Sequence, residues 1–275
     1  MTPLLLALGA SLAWGVADFV GPLLARAHGT LRVLFWAQIG GVLAIGLAVA
    51  IRGQGPAGWA VLFAILASLG GMLGLFAYYR GMEVGAMSVV APIAGVSAIV
   101  PVIFGIATGD KPSAAQLAGI ACALAGVGLA SVEHHEGSRR VAAGVGLALL
   151  AAIGFGFYFP WMHAAGKVDF WWASLVFRST AVLLLAVVVA QRRTPLRLRP
   201  RELAIAAAVG IGDTLGNVLF AASSGHGLVS LTSVLASLYP VVTVLLAAST
   251  LHERVAPMQK AGIVLTLTGV VLISI

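Results

Sequence analysis

The chain has 275 residues, of which 60% are hydrophobic and 9% charged, with a formal net charge of +7. So little charge excludes a soluble globular domain, where about a quarter of residues are charged, and it moves the basic balance from nucleic-acid binding to membrane topology. A single cysteine, Cys122, excludes an intramolecular disulfide.

Apolar runs of about 20 residues, the length that crosses a hydrocarbon core, follow one another with short polar linkers between them. They predict an all-α polytopic membrane protein with ten transmembrane helices, at about 3–25, 31–51, 57–79, 84–107, 113–131, 141–163, 169–190, 202–224, 227–250 and 256–275. The first run has no basic n-region ahead of it and is read as a span, not as a secretory signal. No linker is long enough for a soluble domain.

Span one carries Trp14 and Asp18, four residues apart and therefore on one helical face. Span three carries Tyr78 and Tyr79, and span five is rich in small residues around Cys122. The loop Glu133-His134-His135-Glu136 has metal-ligand residue types but no further ligand set near it, so it reads as a solvated turn.

Span six is dense in aromatics; Gly154, Tyr158 and Trp161 share a stripe, with Phe155 and Phe159 expected to face elsewhere. Arg178 lies near the middle of span seven, and Asp213 and Asn217 share a face of span eight. Span nine holds Tyr239-Pro240, and Pro22, Pro92, Pro101, Pro160 and Pro240 are expected to kink or interrupt their spans. Trp59, Trp171 and Trp172, near span ends, fit an interfacial belt.

The end of the first half returns in the second. Ala118 to Ser131 (AGIACALAGVGLAS) and Ala261 to Ser274 (AGIVLTLTGVVLIS) agree at eight of fourteen places. The chain thus divides into five-span units at 1–133 and 141–275.

Loop charges give the relation between the units. Arg26, Arg32, Arg80, Arg139, Arg140, Arg192, Arg193, Arg197, Arg199, Arg201, Arg254 and Lys260 fall on one side of the membrane, against Arg52, Lys111 and Lys167 on the other. The basic loops follow odd helices in the first unit and even ones in the second, as expected for an inverted repeat. The positive-inside rule then places both termini outside.

The five-helix units, each ending in a small-residue helix preceded by an acidic loop (Gly109-Asp110-Lys111 and His252-Glu253-Arg254), resemble the EamA repeat of the drug/metabolite transporter superfamily. The run from Gly227 through Tyr239-Pro240 to Glu253 and Gly262 follows the family pattern more closely than the first copy, which has Ser97 or Ala98 at the proline and Asp110 at the glutamate. The resemblance extends to the YddG-like exporters of aromatic amino acids. It implies a central cavity lined mainly by helices one, three, four, six, eight and nine, and termini in the cytoplasm.

Charges inside a bilayer cost about 2.5–3.5 kcal/mol each at mid-span on insertion scales, so Asp18, Arg178 and Asp213 are candidates for function. Arg178 suits either a substrate carboxylate or a structural clamp on a neighbouring helix. The expected substrate site comprises Trp14, Asp18, Tyr78, Tyr79, Tyr158, Trp161, Arg178, Asp213, Asn217 and Tyr239, with Asp18 or Asp213 able to carry a coupling proton. Such a site fits a zwitterion, and it fits an organic cation equally well if Arg178 is committed elsewhere.

The expected activity is therefore secondary transport by alternating access, exporting small metabolites such as aromatic or hydrophobic amino acids across the cytoplasmic membrane. A multidrug or organic-cation exporter is the alternative, followed by an intramembrane enzyme on a lipid-linked substrate, for which no catalytic constellation is present. No nucleotide-binding motif occurs. No cofactor or metal is expected; the partners are a small-molecule substrate and the lipid bilayer, with the protein a monomer or weak homodimer.

Overall fold

The computed structural model describes residues 2–56, 58–84, 90, 94–130, 138–250 and 257–274, and all the regular structure among them is helical. Helix α1 (Thr2–His28) runs through Pro22 and stops at Gly29, whose positive φ of 88° suits a residue without a Cβ and whose N–H reaches Ala25 O at 2.7 Å. Helix α2 (Thr30–Arg52) ends the same way on Gly53, at φ 66°. Helix α3 (Ala60–Val84) follows.

A 3-10 turn at Val96–Ala98 leads into α4 (Ile99–Ala107), and α5 (Ala114–Ala130) begins with a reciprocal cap between Ser113 and Gln116. The helical stretch Ser138–Arg192 is two helices that meet at Asp169, where φ −161° and ψ 101° leave the helical region. We denote them α6 (138–168) and α7 (170–192). Asp169 Oδ1 accepts the N–H groups of Trp171 and Trp172 at 3.0 and 3.2 Å, the geometry of an N-cap, which is why the chain bends there.

Helix α8 (Pro200–His226) opens with Pro200 in its first turn, a position where a missing N–H costs nothing. Span nine is split into α9 (Val229–Ala236) and α10 (Tyr239–Thr250), and α11 (Pro257–Ser274) closes the described chain.

Among the described residues, five helical stretches are long and apolar enough to cross a membrane, one of them the bent 146–192 stretch, where ten spans were expected. Helices α5 and α11 count among the shorter apolar helices, and two further differences have local physical causes. The Asp169 cap divides one stretch into two helices, and span nine breaks at Ser237–Leu238 into two short ones. Much of span four, with Pro92, lies outside the described residues, as do Glu133 to Glu136 and Glu253.

Outward faces carry large apolar side chains in stripes, as at Leu43, Leu47 and Ile51 on α2, which are 68, 65 and 79% exposed. A stripe of that size would drive aggregation in water and is at home against lipid. The protein is a multi-pass, all-α membrane protein.

Packing relates the halves by exchange. Helix α3 lies along α6 and α7, while α8 lies along α1 and α2. Gly74 gives way to the Phe155 ring, since a Cβ there would meet Cδ1 at 2.6 Å, and Gly216 does the same for Trp14, at 2.5 Å from Nε1. The two final helices, α5 and α11, run antiparallel: Gly119 meets Gly269, and Gly126 meets Gly262. Each of these pairs becomes the other when both residues are moved by 143 positions.

Side-chain ties gather the loops at two ends of the bundle. At one end Arg32 Nε donates to Pro195 O at 2.6 Å, Trp36 Nε1 to Leu196 O at 2.7 Å, and Thr30 Oγ1 to Glu83 at 2.7 Å. At the other, Arg52 donates to both Asp169 oxygens at 2.7 Å, and Asp110 accepts the Ser230 N–H and hydroxyl at 2.8 and 2.7 Å. The first end is the one that carries Arg26, Arg32, Arg80 and the basic run Arg192 to Arg201.

Candidate substrate-binding cavity

A cavity lies between the two halves, with about 520 Å³ of space unfilled by atoms, its mouth included. It is lined from the first half by Trp14 and Asp18 of α1 and Gly71, Met72 and Leu75 of α3. The second half supplies Phe155, Tyr158 and Phe159 of α6, Phe177 of α7, Asp213 and Asn217 of α8, and Tyr239 at the start of α10.

Trp14 is the centre of the aromatic wall. Its ring lies 6.0–6.5 Å from those of Tyr158, Phe159, Phe220 and Tyr239, mostly edge to face, the arrangement that ring quadrupoles favour. Its Nε1 donates to the Asp213 carbonyl at 3.3 Å, which ties α1 to α8. Tyr158 donates its hydroxyl to Asn217 Oδ1 at 2.6 Å. Gly71 leaves room for this wall, because a Cβ there would meet the Phe177 ring at 2.9 Å.

The two carboxylates differ in their surroundings. Asp213 Oδ2 is 2.6 Å from Arg178 Nη2, and the other guanidinium arm, Nη1, donates to Gln38 Oε1 at 2.6 Å. Arg178 is fully buried, and its Cζ sits 5.3 Å from the Phe177 ring centroid. Gly41 lets the guanidinium stem pass α2, since a Cβ there would lie 3.3 Å from Arg178 Cδ. Asp18 is buried and lines the cavity, and among the described residues its carboxylate has neither an ion-pair nor a hydrogen-bond partner.

Of the ten residues expected at the site, six line the cavity together: Trp14, Asp18, Tyr158, Asp213, Asn217 and Tyr239. Tyr78 and Tyr79 are buried beside it, with Tyr78 edge-on to Phe155 and Tyr239 at 5.9 and 6.4 Å. Arg178 stands behind Asp213. Trp161 is outside, stacked on Phe63 at 5.8 Å.

Phe155 and Phe159, expected to face elsewhere, line the cavity. The cavity stripe of α6 is offset by one residue from the expected one, because Gly154 turns to α3 and packs against Gly70 and Gly74. Gln38, Gly71, Met72, Leu75 and Phe177 were not singled out. Gln38 had a readable signal, as an amide in an otherwise apolar helix.

Comparison with known proteins agrees with this architecture. No curated protein matches the chain. A crystal structure described only as that of a protein is similar in fold, with a TM-score of 0.76 over 98% of this chain and 95% of its own, at 18% identity. The family model described as the EamA-like transporter family matches twice, at residues 1–132 and 142–275. The chain thus belongs to the EamA-like transporter family, and it is a secondary transporter, not an enzyme.

Proposed function

We propose that the protein exports small amine-bearing metabolites, amino acids or organic cations, across the cytoplasmic membrane by alternating access between two inverted five-helix units, ten spans in all. The observation that carries this reading is the cavity itself. Its wall is drawn from both halves, so a rocking of one unit against the other opens it to each side in turn. The exchange of packing partners between the halves, and the antiparallel run of α5 against α11, support the inversion.

In this mechanism the substrate's apolar body lies among Trp14, Phe155, Tyr158, Phe159, Phe177 and Tyr239, and its ammonium group faces the carboxylates. Arg178 and Gln38 hold Asp213 in place across three helices. Proton coupling resides at Asp18, whose carboxylate is free to exchange a proton for a cation, whereas Asp213 is held by its arginine.

Counterflow in proteoliposomes tests the reading. A transporter accelerates entry of a labelled amine or amino acid when the unlabelled compound is loaded inside. Entry that is indifferent to internal substrate, for every compound in a panel covering both classes, contradicts it.

A further inference from the structure

We infer that the cavity selects monovalent organic cations with an apolar or aromatic body over zwitterionic amino acids, with Asp18 as the counter-ion. This rests on the transport reading above and narrows its substrate class.

The inference follows from which charges are already matched. A zwitterion needs a cation for its carboxylate as well as an anion for its ammonium. The described cation nearest the cavity is Arg178, which has no solvent exposure and does not line it. Its Nη2 is ion-paired with Asp213 Oδ2 at 2.6 Å and its Nη1 donates to Gln38 Oε1 at 2.6 Å, while its Nε is buried without a hydrogen-bond partner. Asp213 lines the cavity and Arg178 does not.

With Asp213 neutralised by Arg178, Asp18 is the one uncompensated charge among the described lining residues. A substrate carboxylate entering this space would meet two aspartates and, among the described lining residues, no cation, and like charges at close quarters are strongly unfavourable. An ammonium ion meets the opposite: one unpaired carboxylate, desolvated by burial, and six aromatic side chains whose ring faces attract cations. Trp14, the best cation-binding ring type, lies one helical turn from Asp18 on the same face of α1.

The polar groups that remain are uncharged. The Asn217 amide uses its oxygen on Tyr158, so its NH2 group is the end left for a ligand. The Tyr239 hydroxyl is buried without a hydrogen-bond partner. Both suit a hydroxyl or carbonyl on the body of an organic cation.

The test compares binding of matched ligands to the purified full-length protein by tryptophan fluorescence and calorimetry. Phenethylamine and a benzyl-trimethylammonium salt are set against phenylalanine, which has the same ring and an added carboxylate. The expected result is at least tenfold tighter binding of both cations, lost at least tenfold in Asp18→Asn and retained within a few-fold in Asp18→Glu. Phenylalanine binding as tight as phenethylamine, or no binding of either cation, overturns the inference, and the wild-type comparison stands even if Asp18→Asn does not fold. Cation binding that is unchanged in a folded Asp18→Asn also overturns it. Counterflow on the same ligands separates the two readings: zwitterion-selective flux removes the cation preference and keeps the transporter, while tight cation binding without flux does the reverse.

Discussion

Arg178 Nη2 lies 2.6 Å from Asp213 Oδ2 with the whole arginine side chain buried, so an intramembrane charge pair fastens α7 to α8 directly behind the cavity. Gln38 completes the clamp from α2. The two aspartates of the cavity therefore differ: Asp213 is ion-paired, and Asp18 has no ion-pair partner among the described residues.

Removing one member of that pair strands the other. Arg178→Met is expected to destabilise the protein by about 3–5 kcal/mol, because a buried charge loses its partner. The double variant Arg178→Met/Asp213→Leu should recover most of the loss. Thermal unfolding in detergent measures both, and equal loss in the single and double variants would contradict the clamp.

The cap at Asp169 makes a smaller contribution. Asp169→Ala removes both acceptors of Arg52 and the N-cap of α7, and is expected to cost about 1–2 kcal/mol. Asp169→Asn, which keeps a capping oxygen, should cost less than Asp169→Ala. The order of the two melting temperatures decides the point.

Gly126 tests whether α5 and α11 act as scaffold outside the transport pathway. A Cβ there would lie 2.7 Å from Gly262 O, against backbone that cannot move aside cheaply. Gly126→Leu should lower the melting temperature by several degrees while counterflow per folded molecule stays near wild type. Flux lost in a fully folded, equally stable variant would place these helices in the pathway.

The membrane orientation has two competing expectations. The twelve basic residues of the favoured loops against three elsewhere place the termini outside, and the family resemblance implies termini in the cytoplasm. The structure brings basic loops from α1, α3 and α7 to one end of the bundle, so the charge bias is a property of a real face. A C-terminal reporter pair, one active only outside and one only inside, is expected to report the exterior.

The cavity was legible in the sequence through costly residues. Asp18 and Asp213 were conspicuous because hydrocarbon penalises them, and their neighbours at four-residue spacing, Trp14 and Asn217, came with them onto the cavity wall. Tyr158 was found as well. The α6 stripe was misjudged by one position because aromatic residues stand on every side of that helix, so periodicity alone does not say which of them faces inward. Nothing in composition reveals that Gly154 is consumed by contact with α3, which is what turns Phe155 and Phe159 inward.

The break in span nine and the division at Asp169 had local signals, Tyr239-Pro240 and a capping aspartate. The pairing of Arg178 with Gln38 and Asp213 had none, since the three are distant in sequence and meet only after the helices pack.

Alternating access requires a cavity that opens to each side of the membrane in turn. Met72 lines it without carrying charge, and Cys122 is the only native cysteine, so Met72→Cys in a Cys122→Ser background places a single thiol in the cavity. A membrane-impermeant thiol reagent applied to right-side-out and to inside-out vesicles measures access from each face. Alternating access predicts labelling in both preparations. Labelling confined to one of them, in protein that is folded and fully reactive after solubilisation, would contradict it.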